Sequence, residues 1–221
     1  MAIDTEFHRE GTYFPKVALI QIAWGEENVA LLDPLSCDLL SISELFESEI
    51  KFVMHAASQD LEVFSRVCGS VPTKLFDTQI AAGFLGLSTP SLGILHQQYL
   101  GIDIPKEDRM TNWLSRPLTE RQKSYAASDV RHLIEIYNFQ LNRLNELDRF
   151  SWVEDECRLF LDRESVRRSP DEAWKKIKDL RRLKGKSKDV ARSIAKWREI
   201  EAARLDIPVR RVLSDLAIIS I

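Results

Sequence analysis

Three short acidic segments within the first 130 residues contain the side chains best suited to chemistry. They read Asp4-Thr-Glu6, His55-Ala-Ala-Ser-Gln-Asp60 and Tyr125-Ala-Ala-Ser-Asp129. Several of these carboxylates stand in apolar sequence, where a buried ionised carboxylate is costly unless a cation compensates its charge. The set of four carboxylates and one tyrosine therefore predicts a divalent-metal site.

The spacing within each segment indicates which side chains share a face. Asp4 and Glu6 are two residues apart on a predicted strand, so both point to the same side, about 7 Å apart. Tyr125 and Asp129 are four residues apart on a predicted helix and also share a face. Asp60 lies near the start of a helix that follows a short buried strand, a common location for active-site groups in α/β proteins. Taken alone, Asp60 is better explained as a surface carboxylate or a helix cap, whereas that explanation is weaker for Asp4 and Glu6 because strands are poor in Asp.

The elements that must position these side chains follow an α/β pattern at first and a helical one later. Strands are predicted at Ala2–Phe7, Lys16–Trp24, Asn28–Leu32, Lys51–Met54 and Lys74–Phe76, with helices at Leu39–Phe46 and Ser58–Val67. From residue 91 the pattern is helical, with one helix over Ser91–Leu100 and one long helix headed by Thr119, whose Gln122 completes a capping box. A change of composition near 163–170 predicts a first domain over 1–165 and a helical second domain over 166–221.

Composition narrows the class of protein. The three cysteines are widely spaced and form no Cys-x-x-Cys pair, which indicates reduced thiols and neither a disulfide framework nor a zinc site. No apolar run approaches the roughly 20 residues of a membrane span, and the first residues lack the features of a signal peptide. We expect a cytoplasmic protein with no membrane association.

Charge is distributed unevenly along the chain. Residues 1–150 contain 13 Lys and Arg against 21 Asp and Glu, whereas residues 151–221 contain 18 against 13. A solvated helical surface would account for the basic excess. It also fits a tail that attracts a polyanion such as a nucleic acid while the acidic front holds metal ions.

The acidic segments and their flanks resemble the DEDD superfamily of 3′-5′ exonucleases, in its tyrosine-containing branch, and within it the ribonuclease D family. The similarity covers roughly residues 2–145. The segments that carry it are Asp4-Thr-Glu-Phe-His-Arg-Glu-Gly-Thr-Tyr-Phe-Pro, Leu19-Ile-Gln, His55-Ala-Ala-Ser-Gln-Asp-Leu-Glu, Phe76-Asp-Thr-Gln-Ile-Ala-Ala and Trp113-Leu-Ser-Arg-Pro-Leu-Thr-Glu-Arg-Gln.

The resemblance implies a ribonuclease H-like fold, with a mixed five-stranded sheet flanked by helices and followed by an all-helical C-terminal extension. It also implies a two-metal mechanism. Asp4 would bridge both ions, Glu6 and Asp129 would hold the ion that activates water, and Asp60 would hold the other. Tyr125 would orient the attacking water or help to deprotonate it. Oxygen ligands favour Mg²⁺ or Mn²⁺ over Zn²⁺.

The implied reaction removes nucleoside 5′-monophosphates from the 3′ end of RNA, in the maturation of tRNA 3′ ends, with no obligate protein partner. Candidate substrate contacts are Phe7, His55, Gln59 and Trp113, since unpaired bases are commonly held by aromatic stacking. Core packing remains an alternative role for the aromatic residues, and a structural hydrogen bond for His55. Two other functions stay open, a DNA-directed 3′-5′ exonuclease and a non-catalytic RNA-binding relative.

The C-terminal segment resembles only part of a known module. Ser187–Arg204 is similar to the opening of an HRDC domain (helicase and RNase D C-terminal), and a complete copy would need more residues than remain. Only three residues precede Asp4, fewer than the family has there. We therefore expect an incomplete HRDC-type domain and a chain shortened at its beginning.

Overall fold

The computed structural model describes residues 1–103, 111–167 and 169–220, with the backbone alone for 164–167. The strands are β1 (Ala2–His8), β2 (Lys16–Trp24), β3 (Asn28–Leu32), β4 (Phe52–Met54) and β5 (Leu75–Asp77). The helices are α1 (Leu40–Glu47), α2 (Ser58–Val67), α3 (Thr78–Phe84), α4 (Leu92–Leu95), α5 (Glu120–Arg131), α6 (Leu133–Glu146), α7 (Phe150–Arg167), α8 (Gly185–Leu205), α9 (Val209–Val212) and α10 (Asp215–Ile219). None of the helices in these ranges combines the length and apolar character needed to cross a membrane.

The five strands form one mixed sheet in the order β3-β2-β1-β4-β5. Strands β1, β2 and β3 are antiparallel neighbours, while β4 and β5 run parallel to β1. The mixed five-stranded sheet flanked by helices that the resemblance implies is therefore confirmed. Strand β4 meets β1 in a single pair, Val53 with Ala2, so α2, which follows β4, lies beside an edge of β1 that the sheet does not cover.

One face of the sheet is mainly apolar. Ile3 belongs to this face, and its cross-strand partner is Ile22. Both pack in the largest buried cluster, which includes Phe46 of α1 and Phe64 of α2. Because strand side chains alternate between faces, Asp4 and Glu6 must lie on the opposite face.

That opposite face is covered by α5 and α6. Ala2 and Ala23 pack there against Val130 of α5, and Leu19 packs against Ala126 of the same helix. Ala126 and Val130 form one side of α5 and seat the helix across the strands. The adjacent side, which carries Tyr125 and Asp129, is therefore directed to the end of β1.

Two of the predicted helices are interrupted. The long helix begins at Thr119 with the predicted capping box, but it breaks at His132, whose backbone is not helical, and gives α5 and α6. The helix predicted over Ser91–Leu100 has the expected bounds but changes type, because α4 passes into a π-helical turn, His96–Leu100. The wider π turn changes the direction of its side chains, and His96 is fully buried there.

Arg116 fixes the loop that leads into α5. Its guanidinium donates to both carboxylate oxygens of Asp33, at 2.6 and 2.8 Å. It also donates to the carbonyl oxygens of Ala18 and Trp113, each at 2.7 Å. The planar group thus ties the loop to β2 and to the end of β3, and it holds Trp113 beside α5.

The chain divides into two compact units, the first formed by Met1–His8 with Lys16–Leu161 and the second by Arg9–Pro15 with the residues from Asp162 onward. The core of the second unit contains Ile177, Leu180, Ala191, Ala195 and Ile218. Residues 9–15, which connect β1 to β2, belong to this unit through Asp206, whose carboxylate accepts from the backbone N–H groups of Tyr13 and Phe14 at 3.1 and 3.0 Å. The HRDC-type assignment of this helical unit stays a prediction.

His96 should make the stability of the protein depend on pH. Burial, with smaller contributions from His132 and His55, lowers the pKa of His96 to about 4, below the value of about 6.5 in an unfolded chain. The folded protein therefore keeps His96 neutral, and the resulting stability is lost as the pH falls from about 6.5 towards 4. We expect His96 to reduce the free energy of unfolding by about 2 kcal/mol between pH 7.5 and pH 5.

Urea denaturation of the wild type and of His96→Met at both pH values measures this effect. The comparison is needed because other groups also titrate, and only the difference between the two proteins reports on His96. His8→Gln serves as the control for the loss of a histidine at a partly exposed position. An equal pH dependence in the wild type and His96→Met would contradict the assignment.

Candidate active site

Strand β1 brings Asp4 and Glu6 to the face of the sheet beneath α5. In the β1–β2 ladder Asp4 is opposite Gln21 and Glu6 is opposite Leu19. The ladder changes register between Glu6 and Phe7. A bulge of this kind ends regular pairing and redirects side chains, so Glu6 is the last residue of β1 before the irregularity. The predicted shared face of Asp4 and Glu6 agrees with this geometry.

Helix α5 supplies Tyr125 and Asp129 one turn apart. The residues that follow them, Ala126 and Val130, are fully buried and fix the rotation of the helix. The ring of Tyr125 lies 5.9 Å from that of Trp113, measured between centroids. Trp113 is only 5% exposed, so it supports Tyr125 from within the core.

Asp60 reaches the site from the first turn of α2. The hydroxyl of Thr5 donates a hydrogen bond to the carboxylate of Asp60 at a distance of 2.5 Å. This bond attaches the start of α2 to the middle of β1. Burial raises the pKa of Asp60 to about 6, although the bond from Thr5 acts in the opposite direction and the charge of Asp77 adds a smaller upward effect. Burial favours the protonated form of a carboxyl group in this position, and a nearby cation would favour the ionised form.

Asp77 is a positioning residue that the sequence revealed only in part. The pair Asp77-Thr78 predicts a helix cap, and Asp77 does accept from the backbone N–H groups of Gln79 and Ile80 at the start of α3. Its carboxylate also accepts from the backbone N–H groups of Ala56 and Ala57, at 3.1 and 2.9 Å. Ala56 has a φ of 55°, a strained conformation for a residue with a Cβ. Asp77 thereby holds the turn that aims α2, and nothing in the local pattern indicates this second contact.

The electrostatics of Asp4 show that the predicted carboxylates form one cluster. Burial is the largest cause that raises its pKa well above the usual value, followed by the charges of Asp60, Asp129 and Glu6, in that order. These residues come from β1, α2 and α5, and they are separated by up to 125 positions in the sequence. The fold therefore places four acidic groups, from three segments that are distant in sequence, in one electrostatic field.

The donor set of this cluster fits a hard divalent cation. It offers carboxylate oxygens alone, which are the ligands that Mg²⁺ and Mn²⁺ prefer, and a cation would offset the repulsion that raises the pKa of Asp4. Among the described residues, no three His, Cys, Asp or Glu side chains are already grouped closely enough to hold an ion. Among these residues the carboxylates are therefore close enough to affect the pKa of Asp4, but they are not yet arranged as a set of metal ligands. Their metal-binding roles stay predictions.

The predicted substrate contacts fall into two groups. Phe7 and His55 are partly exposed and Gln59 is exposed, so all three present surface near Glu6 or Asp60 in the chain. The ring of Trp113 is enclosed, and a base could stack on it only after its neighbours moved. His55 has the structural bond considered as an alternative, because its Nδ1 lies 2.9 Å from the Thr78 hydroxyl.

The Thr78 bond also defines the His55 tautomer. The Thr78 hydroxyl donates its proton to the carbonyl oxygen of Met54 at 3.1 Å, so toward His55 it can only accept. Nδ1 of His55 must then carry the hydrogen. This fixed tautomer is compatible with a structural role and leaves the predicted substrate role untested.

Comparison with known proteins gives the chain a family. A sequence model described as 3′-5′ exonuclease matches residues 1–145. Ribonuclease D of Gluconacetobacter diazotrophicus is 38% identical over 228 residues, covering 100% of this chain and 57% of the relative. Ribonuclease D of Pseudomonas paraeruginosa is 41% identical over 221 residues, covering 97% and 57%. The chain thus spans under three fifths of the length of these relatives.

A solved structure agrees with these sequence matches. The crystal structure of Escherichia coli RNase D, described as an exoribonuclease involved in structured RNA processing, superposes with a TM-score of 0.89 at 36% identity, covering 99% of this chain and 59% of that one. The resemblance to ribonuclease D inferred from the acidic segments is confirmed. On the evidence of its residues 1–145 and of its similarity to ribonuclease D over nearly its whole length, the chain belongs to the 3′-5′ exonuclease family.

Proposed function

We propose that this chain contains the active site of a metal-dependent 3′-5′ exoribonuclease of the ribonuclease D type. The observation that carries the proposal is the gathering of Asp60, Asp129 and Glu6 around Asp4, whose pKa is raised by burial first and then by these three charges. A structural role gives no reason to gather four acidic groups at one partly buried place, since their repulsion costs free energy. Cation binding does give a reason to gather them, because a bound cation offsets the repulsion.

The four carboxylates would hold two divalent ions, Mg²⁺ or Mn²⁺. Asp4, at the centre of the electrostatic cluster, would help to hold both, and Glu6, Asp129 and Asp60 would supply the other carboxylate ligands. When bound, the ions supply positive charge that stabilises the attacking and leaving oxygens of an in-line displacement. The Thr5 hydroxyl and the first turn of α2 keep the Asp60 carboxylate oriented toward β1.

Tyr125 would act on the attacking water. Its phenol shares a helix face with Asp129, and its ring is supported by the enclosed ring of Trp113. Through Oη it would hold the water by a hydrogen bond and assist the removal of its proton. Hydrolysis would release a nucleoside 5′-monophosphate from the free 3′ end.

The proposed substrate is RNA, and tRNA precursors with a 3′ extension are the proposed natural form. The similarity to ribonuclease D supports this choice. The basic second unit contains 18 Lys and Arg against 11 Asp and Glu and adds sequence-independent attraction for a polyanion. The three cysteines are free, which fits the reducing cytoplasm as the proposed location.

Digestion of matched RNA and DNA oligonucleotides tests the proposal directly. With Mg²⁺ we expect stepwise shortening of a 5′-labelled RNA from its 3′ end, release of nucleoside 5′-monophosphates, and no reaction in EDTA. A tRNA with a 3′ extension should be trimmed to its mature end faster than an unstructured RNA of equal length.

Each alternative predicts a different result in this assay. Preferential digestion of the DNA oligonucleotide would replace the RNA assignment by a DNA exonuclease. RNA binding without release of nucleotides, in Mg²⁺ and in Mn²⁺, would replace the enzyme by a non-catalytic RNA-binding protein. Equal trimming of the tRNA and the unstructured RNA would refute the tRNA assignment alone.

Asp129→Asn should separate catalysis from RNA binding. The amide is nearly the same size as the carboxylate but lacks the charge that holds a cation, so we expect kcat to fall more than about 100-fold. RNA affinity should change less than about threefold, because the basic second unit supplies much of the attraction. Single-turnover kinetics and filter binding measure the two quantities.

The matched control is Glu135→Gln, which makes the same change of charge at an exposed position on α6. This variant should keep the activity of the wild type. The melting temperature of Asp129→Asn in EDTA should not fall, since the substitution removes repulsion from Asp4. A large loss of RNA affinity in Asp129→Asn would show that the site, and not the basic surface, provides most of the binding.

A further inference from the structure

Gln21 in the middle of β2 is a buried polar residue with no hydrogen-bond partner in the described part of the chain. Its side chain is 0% exposed, and neither Oε1 nor Nε2 has a partner among the residues that the structure describes. A buried amide that makes no hydrogen bond lowers stability, and such groups in a native fold call for a specific explanation. The loss of stability caused by the buried Gln21 amide therefore calls for a functional explanation.

The register of the sheet places Gln21 directly across from Asp4. Directly opposite residues of an antiparallel pair have Cβ atoms about 4.5–5.5 Å apart on the same face. The residues of β2 that share this face, Leu19 and Ala23, are apolar and packed against α5 and α6. Gln21 is therefore a single amide in an apolar row, with the carboxylate cluster as its polar neighbour.

A second buried glutamine shows what a structural amide does in this fold. Gln140 of α6 is also 0% exposed, but its Nε2 donates to the carbonyl oxygen of Thr78 at 2.9 Å. That bond joins α6 to the start of α3. Gln21 forms no comparable link between elements, so a purely structural role does not account for it.

We propose that Gln21 is a positioning residue for Asp4, whose carboxylate accepts a hydrogen bond from the Gln21 amide when that carboxylate holds a divalent ion. One lone pair of the carboxylate would be directed to the amide, and the remaining lone pairs would be directed to the metal. The inference rests on the proposed function, because it assigns Asp4 to metal binding. Hydrogen-bond donors behind a ligand typically change metal affinity or activity about 10- to 100-fold.

Gln21→Met tests the proposal by changing stability and function in opposite directions. Methionine has a similar length but no amide, so the melting temperature in EDTA should rise. Mn²⁺ affinity, measured by isothermal titration calorimetry without RNA, should fall about tenfold. In the digestion assay kcat should fall by a similar factor, while KM for RNA stays within about twofold.

Two further variants make the test specific. Gln140→Met removes an amide that is hydrogen-bonded, so its melting temperature should fall and its Mn²⁺ affinity should equal that of the wild type. Gln21→Asn keeps the amide but withdraws it by one methylene, and its Mn²⁺ affinity should fall as well. If Gln21→Met does not fold, Gln21→Asn decides the question.

The possible outcomes separate this inference from the proposed function. If the wild type neither binds Mn²⁺ nor releases nucleotides, the proposed function fails and the inference fails with it. If the wild type does both and the folded Gln21 variant matches it in Mn²⁺ affinity and kcat, only the positioning role is overturned. A Gln21→Met variant that is less stable in EDTA and unchanged in Mn²⁺ affinity would likewise overturn it, because Gln21 would then be structural.

Discussion

The repulsion among four acidic groups at the end of β1 is the constraint on which the first unit depends. Like charges in a partly buried site favour separation or protonation, and the pKa values of Asp4 and Asp60 are both raised. The surrounding structure opposes that separation with bonds that do not involve the carboxylates of β1 themselves. Thr5 holds Asp60, Asp77 holds the turn before α2, and apolar packing of α5 holds Asp129. The surrounding residues therefore hold the carboxylates together, whereas the repulsion between the carboxylates favours their separation.

This arrangement explains why polar side chains deep in the first unit fall into two classes. Asp77 and Arg116 make several short hydrogen bonds each and join elements that are distant in sequence. They lower the free energy of the fold. Asp4, Asp60 and the amide of Gln21 raise it, since burial raises the pKa of both carboxyl groups and the amide has no hydrogen-bond partner among the described residues. Groups of the second class are consistent with function because stability gives no reason to keep them.

The sequence predicted those features of the site that depend on local periodicity. The two-residue repeat of a strand places Asp4 and Glu6 on one face. A spacing of four residues on a helix does the same for Tyr125 and Asp129. The capping box at Thr119 is equally local, and it was found as predicted. The approach of these segments to one another was inferred from charge and from family resemblance, because no local pattern records it.

The features that the sequence did not reveal all depend on contacts between distant residues. The second pair of Asp77 contacts lies about 20 residues upstream. The position of Gln21 opposite Asp4 depends on strand register, which the connection between β1 and β2 and the bulge after Glu6 together set. The break at His132 and the π turn at His96 replace regular helix because tertiary packing overrides helix propensity at those points.

The bonds from residues 13 and 14 to Asp206 have a consequence for modularity. The connection between the first two strands, which starts three residues after Glu6, folds as part of a unit whose other residues follow from position 162. A fragment ended at Leu161 would keep this connection and lose Asp206 and Glu199, which anchor its backbone and the Tyr13 hydroxyl. A gene fusion or a deletion at one boundary therefore cannot separate the two units cleanly. Any recombination that exchanges the helical unit must also exchange seven residues near the beginning of the chain.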